Sequence, residues 1–247
     1  MDETPRVRRR WLWYGLPVLL GVIALVLVVG VIRFRSWFAV KLEEARQQRE
    51  AVVAIQRLGG QVGYDYERRF HDYQARHQLN EGLQPPLPGP AWFRERYGLD
   101  VLATVESVAF LPPQVGADCT LDDAGLQQIE EPLKSLSHLV SLEIWGNRVT
   151  DAGLRHLAPL TQIKQLCIHG TSITDSGLQH IQALTQLEEL SVYETGISDA
   201  GLPYLAALKN LKRLSCCTWR LEQHVTGDGV AKLKKALPNC RITVGRY

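Results

Sequence analysis

Cysteine is scarce, net charge is nearly nil, and no sequence motif of a familiar reaction centre is present. The 247 residues hold five cysteines. An odd number at that density excludes a disulfide-stapled scaffold. Twenty-eight Lys+Arg against 26 Asp+Glu leave a net charge of +2. That small excess is unevenly placed. Residues 1–50 carry nine Lys/Arg against five Asp/Glu, a balance of +4, so the other 197 residues sum to −2. Positive charge confined to one end, beside an apolar segment, argues against a protein that coats nucleic acid. Gly59-Gly60 and Gly227-x-Gly229 lack the spacing and the Lys-Ser/Thr of a phosphate-cradling loop. H-E-x-x-H, G-x-S-x-G and C-x-x-C are absent. Hydrophobic residues make up 45% of the chain. That is enough for a core and excludes wholesale disorder.

After a basic tail at 1–10, the 22 residues from Trp11 to Ile32 carry no charge. As a helix they would be about 33 Å long, close to the ~30 Å hydrocarbon thickness of a bilayer. Trp11, Trp13 and Tyr14 lie at one end and Trp37 and Phe38 just beyond the other, where aromatic residues favour the interface. The expectation is an uncleaved transmembrane helix over 11–32. A cleaved secretory signal, the rival, would have a shorter apolar run and a small-x-small exit rather than Arg-Phe-Arg-Ser-Trp-Phe. Arg6, Arg8, Arg9 and Arg10 before the segment nearly balance Arg33, Arg35, Lys41 and Arg46 after it. The topology tips only slightly to an inside amino terminus and an extracytoplasmic carboxyl domain.

A juxtamembrane helix is expected within 33–60. Leu42, Ala45, Val52, Ile55 and Leu58 recur at helical spacing, and Gly59-Gly60 is a stop. The apolar seam is too short and broken for a coiled coil. Residues 61–100 read as an amino-terminal cap and linker. Val62, Tyr64 and Tyr66 alternate like a strand, and Gln84–Pro90 is stiff and Pro-rich. Ala91–Gly98 reads as a helix that caps the exposed end of the next domain.

From residue 101 onward the chain is periodic. Leu142-x-Ile144 returns as Leu166-x-Ile168, Leu190-x-Val192 and Leu214-x-Cys216, each 24 residues after the last. The same step links Leu139, Ile163, Leu187 and Leu211. It also links Asp151, Asp175 and Asp199, and Gly153, Gly177 and Gly201. A degenerate copy precedes these (Val105-x-x-Val108-x-Phe110, then Asp123-Ala124-Gly125-Leu126, with an insertion between). Another comes last, from Thr226-Gly227-Asp228-Gly229-Val230 to Cys240-x-Ile242, after a four-residue insertion around Trp219–His224. About five repeats therefore fill 101–247.

The unit has a physical reading. L-x-x-L-x-L places apolar side chains on one face of a short strand and leaves the alternate residues exposed. Asn147, Thr171 and Thr195 turn the chain, with side chains able to satisfy strand-edge backbone groups of the neighbouring coil. Thr150, Thr174 and Ser198, each followed by Asp, suit helix N-caps. The glycine two residues after each Asp permits close approach of coils. Leu154, Leu157 and Leu160 form a buried helical stripe. One such unit cannot bury its apolar face alone, so the units must stack.

This pattern resembles the leucine-rich repeat, whose period is 20–29 residues. The resemblance implies an α/β solenoid with parallel strands on a concave face and helices on a convex one. The wider layout is similar to that of bacterial membrane-anchored leucine-rich-repeat proteins. These pair an amino-terminal anchor with a segment like Ala51-x-x-Ala54-Ile55-x-x-Leu58-Gly59-Gly60-x-Val62-x-Tyr64-Asp65-Tyr66, a Pro-Gly-Pro-x-Trp element and Thr-Asp-x-Gly-Leu repeats. The resemblance implies a binding module and names no partner.

The strand pattern offers a working surface. Its last exposed column reads Leu111, Trp145, His169, Tyr193 and Cys217. The middle column reads Ala109, Glu143, Cys167, Ser191 and Ser215, and the first reads Ser107, Ser141, Gln165, Glu189 and Arg213. At ~4.8 Å between rungs, Trp145, His169 and Tyr193 make one aromatic stripe, with Glu143, Glu189 and Arg213 setting polarity. The reading is a membrane-anchored, non-catalytic module that recognises a protein or peptide through this face, with no cofactor and no nucleic acid. Three alternatives stay open. The first is mutual stacking of the stripe that only stiffens the sheet. The second is a scaffold or envelope-organising protein without a specific ligand. The third is an enzyme with a site in 60–100 or at Trp219–His224, where His71, His77 and His224 occur without catalytic spacing. The evenly spaced aspartates are explained by capping. A metal held by Cys167, His169 and Cys217 lacks dense ligand spacing.

Overall fold

The computed structural model describes residues 7–65, 67, 87–111, 121–145, 148–217 and 225–245. Two compact units divide the chain, Met1–Ala45 and Arg46–Tyr247. Helix α1 spans Val7–Arg57, and its last turns, from Arg46, belong to the second unit. In the first unit the Ser36 hydroxyl donates to the Ile32 carbonyl at 3.0 Å. Lys41 pairs with Glu44 at 2.6 Å, and the Phe34 and Phe38 rings stack with centroids 6.0 Å apart.

Among the described residues no helix is long and apolar enough to cross a membrane. The transmembrane helix expected at 11–32 is corrected on this finding. The uncharged run closes at Ile32. Arg33, Arg35, Lys41, Glu43 and Glu44 come next in the same helix. The helix expected over 33–60 is not a separate element but the continuation of α1. α1 ends at Arg57, and Gly59 follows with a φ of 78° that glycine adopts at little cost.

The second unit is an α/β solenoid. Its elements are β1 (Gln61–Tyr64), α2 (Ala91–Tyr97), β2 (Val105–Phe110), α3 (Asp123–Ser135), β3 (Ser141–Trp145), α4 (Asp151–Leu154), β4 (Gln165–His169), α5 (Asp175–Ile181), β5 (Glu189–Tyr193), α6 (Leu202–Leu205), β6 (Arg213–Cys217), α7 (Gly227–Ala236) and β7 (Arg241–Gly245). The seven strands lie in one sheet in sequence order. β1 is antiparallel to β2, and every later pair is parallel. From β3 to β6 the partners are 24 residues apart: Leu142, Leu166, Leu190 and Leu214 align, as do Ile144, Ile168, Val192 and Cys216. The α/β architecture anticipated for 101–247 is therefore the one observed.

One continuous core runs along the solenoid. The periodic positions Leu139/Ile163/Leu187/Leu211, Leu154/Leu178/Leu202 and Leu160/Leu184/Leu208 are all buried in it. Each such side chain is worth about 1.5–3 kcal/mol of transfer free energy. The first coil is closed by the end of α1, which buries Ala51 and Ile55 beside Val105 and Phe110, and by β1 on the edge of β2. Gln48 ties the two backbones together: its amide donates to Ala103 O at 2.9 Å and accepts from Val105 N at 3.0 Å. Helix α2, expected to serve as that cap, buries none of its side chains.

The periodic aspartates do more than cap. Asp123 Oδ1 accepts from the Thr150 amide at 2.8 Å and its Oδ2 from the Thr150 hydroxyl at 2.7 Å. Asp151 meets Thr174 in the same way at 2.8 and 2.6 Å, and Asp175 meets Ser198 at 2.7 and 2.6 Å. Asp199 meets Thr226 at 2.8 and 2.5 Å. Each hydroxyl then accepts from an amide in its own coil, as the Thr150 hydroxyl does from Ala152 at 3.2 Å. The glycines sit against these carboxylates. A Cβ on Gly153, Gly177, Gly201 or Gly229 would collide with an Oδ1 of Asp123, Asp151, Asp175 or Asp199 respectively. The role anticipated for the strand-end hydroxyls is not seen at Thr171, whose buried Oγ1 has no hydrogen-bond partner among the described residues. Asn147 lies outside the described residues.

This ladder is open to test at a glycine and at an aspartate. Gly177→Ala drives its methyl into the Asp151 carboxylate and onto Ile173 Cγ2 at 3.0 Å. It should cost about 1–3 kcal/mol, with melting falling by about 2–4 °C per kcal/mol for a chain of this size. Gly227→Ala meets nothing within 4 Å and should leave melting unchanged or raise it; thermal denaturation of the two variants checks both. The Thr226 hydroxyl and then its amide hold the Asp199 carboxyl below its ordinary range. A depressed folded pKa stabilises above the unfolded value and the gain is lost as pH falls through the folded one. Asp199→Asn should therefore melt below wild type at pH 7, and the gap should close as pH drops below about 3.9.

Candidate binding surface

The alternation of each strand decides which side chains reach the sheet's open face. In β3, Leu142 and Ile144 are buried while Ser141, Glu143 and Trp145 are partly exposed, and β4 and β5 repeat the pattern. Parallel in-register pairing then stacks equivalent positions into columns. Trp145 pairs with His169 and His169 with Tyr193. The Trp145 and His169 rings stack with centroids 4.7 Å apart and planes inclined by 24°. His169 and Tyr193 come next at 5.8 Å and 48°. Cys217 continues the column at the backbone. Leu111 follows Phe110, the last residue of β2, and lies outside the paired register.

The middle column aligns Ala109, Glu143, Cys167 and Ser191. Burial pushes the Cys167 thiol up to about 11, and the Glu143 carboxylate pushes the same way. The Trp145 indole N–H lies near enough to oppose that shift, yet its buried Nε1 meets no acceptor in hydrogen-bond geometry. Glu143 has neither a cation nor a hydrogen-bond donor among the described residues.

The first column aligns Ser141, Gln165, Glu189, Arg213 and Arg241. Here Glu189 and Arg213 are spent on one another. Arg213 pairs with Glu189, which also accepts from Gln165 Nε2 at 3.4 Å. That carboxylate raises the Arg213 guanidinium above its ordinary pKa. Alongside, Lys212 reaches Glu188 at 2.5 Å and Lys164 reaches it at 3.8 Å, and the Lys212 contact holds the Glu188 carboxyl low. Glu189 and Arg213 thus lie at the opposite strand end from the aromatic rings.

Sequence reading missed Glu194. It comes directly after Tyr193 with φ 50°, a left-handed conformation that costs a residue with a Cβ about 1–2 kcal/mol. Gly170, 24 residues earlier, holds the same region at φ 59°. Gly146, Gly170 and Glu194 share one repeat position, so a carboxylate stands where the earlier repeats carry glycine. That break in the period was the available signal. Glu194 Oε2 lies 3.9 Å from His169 Nε2.

Among the described residues no three His, Cys, Asp or Glu side chains are grouped to hold a metal. Cys217 is two strands from His169, roughly 9.6 Å by strand spacing. His71, His77 and the Trp219–His224 insertion lie outside the described residues.

No family model and no curated protein matches the chain. Among solved structures it is similar to an internalin of Listeria monocytogenes, at 23% identity and a TM-score of 0.37 over 57% of this chain and 47% of that one. It is also similar to internalin C2 of the same organism, at 20% identity and a TM-score of 0.29 over 53% of this chain and 80% of that one. The chain thus spans about half the length of the first of these. Likeness at that level carries no functional argument, and the coil architecture rests on register and core.

A thiol that titrates near 11 holds about a hundredfold less thiolate at neutral pH than one of ordinary pKa. Alkylation of the folded protein at pH 7.5, with peptide mass mapping of the products, should find Cys167 modified about a hundredfold more slowly than after denaturation.

Proposed function

We propose that the chain is a non-catalytic protein-interaction module of the leucine-rich-repeat type, and that it recognises a protein or peptide through the open face of its sheet. One observation carries this reading: three aromatic rings, Trp145, His169 and Tyr193, stand on adjacent strands as a partly exposed stripe. Rigid aromatic anchors lose little conformational entropy on binding and dominate interface hot spots. The core needs none of the three, since each strand buries its alternate residues instead. Trp145, His169 and Tyr193 are the anchors. Glu143 supplies charge next to them, and the Glu189–Arg213 pair forms a polar rim. No cofactor is required.

The rival reading is that ring stacking only stiffens the sheet. The 4.7 Å Trp145–His169 contact favours it, because stacking holds those two ring faces against each other. Chemical crosslinking and affinity capture with the full chain separate the two. If the stripe is the interface, the wild-type protein retains a partner that a Trp145→Ala, Tyr193→Ala variant loses by tenfold or more, while both melt as folded solenoids. A partner held equally by both would move the interface elsewhere.

A further inference from the structure

We infer that the stripe is built to seat an arginine side chain of the partner. This rests on the reading that the open face binds a protein, and it names the chemistry.

Three observations converge. First, Trp145 has one ring partner among the described residues, His169 on the β4 side. On the β2 side the register puts Ala109 beside Glu143, so a methyl group is the neighbour of that unpaired carboxylate. Second, carboxylates stand on both sides of the rings without lysine or arginine partners among the described residues: Glu143 one column in, and Glu194 past the end of β5. Among the described strand residues, the cations of this face, Arg213 and Arg241, lie in the first column, and Arg213 is committed to Glu189. Third, Glu194 is kept in a left-handed conformation that glycine holds one coil earlier. Backbone strain of that kind persists where surrounding structure and function require it.

An aromatic face flanked by carboxylates is complementary to a cation. Arginine fits better than lysine. Its planar guanidinium stacks on an aromatic ring and still presents N–H groups in its own plane to a neighbouring carboxylate. An acidic or purely apolar segment would leave Glu143 facing like charge or no partner.

The test uses the full chain and a random twelve-residue peptide library. Peptides retained by wild type and lost with Trp145→Ala are sequenced, and the best is resynthesised with each arginine replaced by citrulline, its neutral isostere. The retained peptides should be enriched in arginine, and one citrulline replacement should weaken binding about tenfold or more. Glu143→Gln, which keeps shape, should weaken the arginine peptide and spare the citrulline one. Glu194→Gly should weaken the peptide while raising the melting temperature, an opposition that loss of folding cannot produce. Peptides that depend on Trp145 yet tolerate citrulline would overturn the arginine assignment and leave the open-face reading standing. Peptides indifferent to Trp145→Ala would overturn both.

Discussion

A carboxylate that reaches across to the next coil holds the solenoid in register. In four successive coils an aspartate accepts both the amide and the hydroxyl of the Thr or Ser that opens the next coil's helical segment. Charge-assisted hydrogen bonds of this kind are about twice as strong as neutral ones. They also convert a local feature into a long-range one. A hydroxyl that would only cap its own helix becomes the middle of a chain from carboxylate to hydroxyl to amide. Hydrophobic burial drives the stacking, but it is indifferent to small slips. The bidentate contact is not, because it is satisfied at one offset only.

That contact fixes the rest of the repeat. The aspartate oxygen occupies the space over the next coil's backbone, so the residue there can have no Cβ, which accounts for Gly153, Gly177, Gly201 and Gly229. Helical segments must then start within reach of the preceding carboxylate, which aligns the convex side. The 24-residue partner offset from β3 to β6 is the same constraint seen from the sheet side. Because the helix side carries the coil-to-coil bonding, the open face of the sheet is free to vary. From coil to coil its columns change from serine to glutamate to arginine without disturbing the core.

The leucine period made the strands, their order and their columns legible, because a 24-residue recurrence of L-x-x-L-x-L has one way to bury itself. The aspartates were visible but misassigned in part. A residue at the first turn of a helix already has an adequate local explanation, and nothing local reveals that its oxygens point to the next coil. The helical part of the cap was placed too late in the chain. Ala91–Tyr97 has large aromatics that suggest burial, whereas the small face of Ala51 and Ile55 at the end of α1 is what fits the first coil. The segment 11–32 was read from its uncharged length and flanking aromatics, and among the described residues no helix is long and apolar enough to cross a membrane. For the candidate surface, Trp145, His169 and Tyr193 could be aligned by counting. Glu189 and Arg213 could be placed too, but counting could not show that they neutralise each other.

Glu194 shows where such a repeat carries information beyond its fold. A consensus coil places glycine at this turn because the backbone there is left-handed, as at Gly170. Replacing it with any residue bearing a Cβ costs about 1–2 kcal/mol, and the side chain recovers little, since its 3.9 Å approach to His169 is too long for a hydrogen bond. Folding alone gives no reason to keep a glutamate there. The same holds for Glu143, a carboxylate lodged between Ala109 and Cys167 in place of the small residues of the later strands. It raises the Cys167 pKa and gains no partner among the described residues in return. Positions that break the period against their own stability are the ones whose explanation lies outside the solenoid. Both of them flank the same three rings.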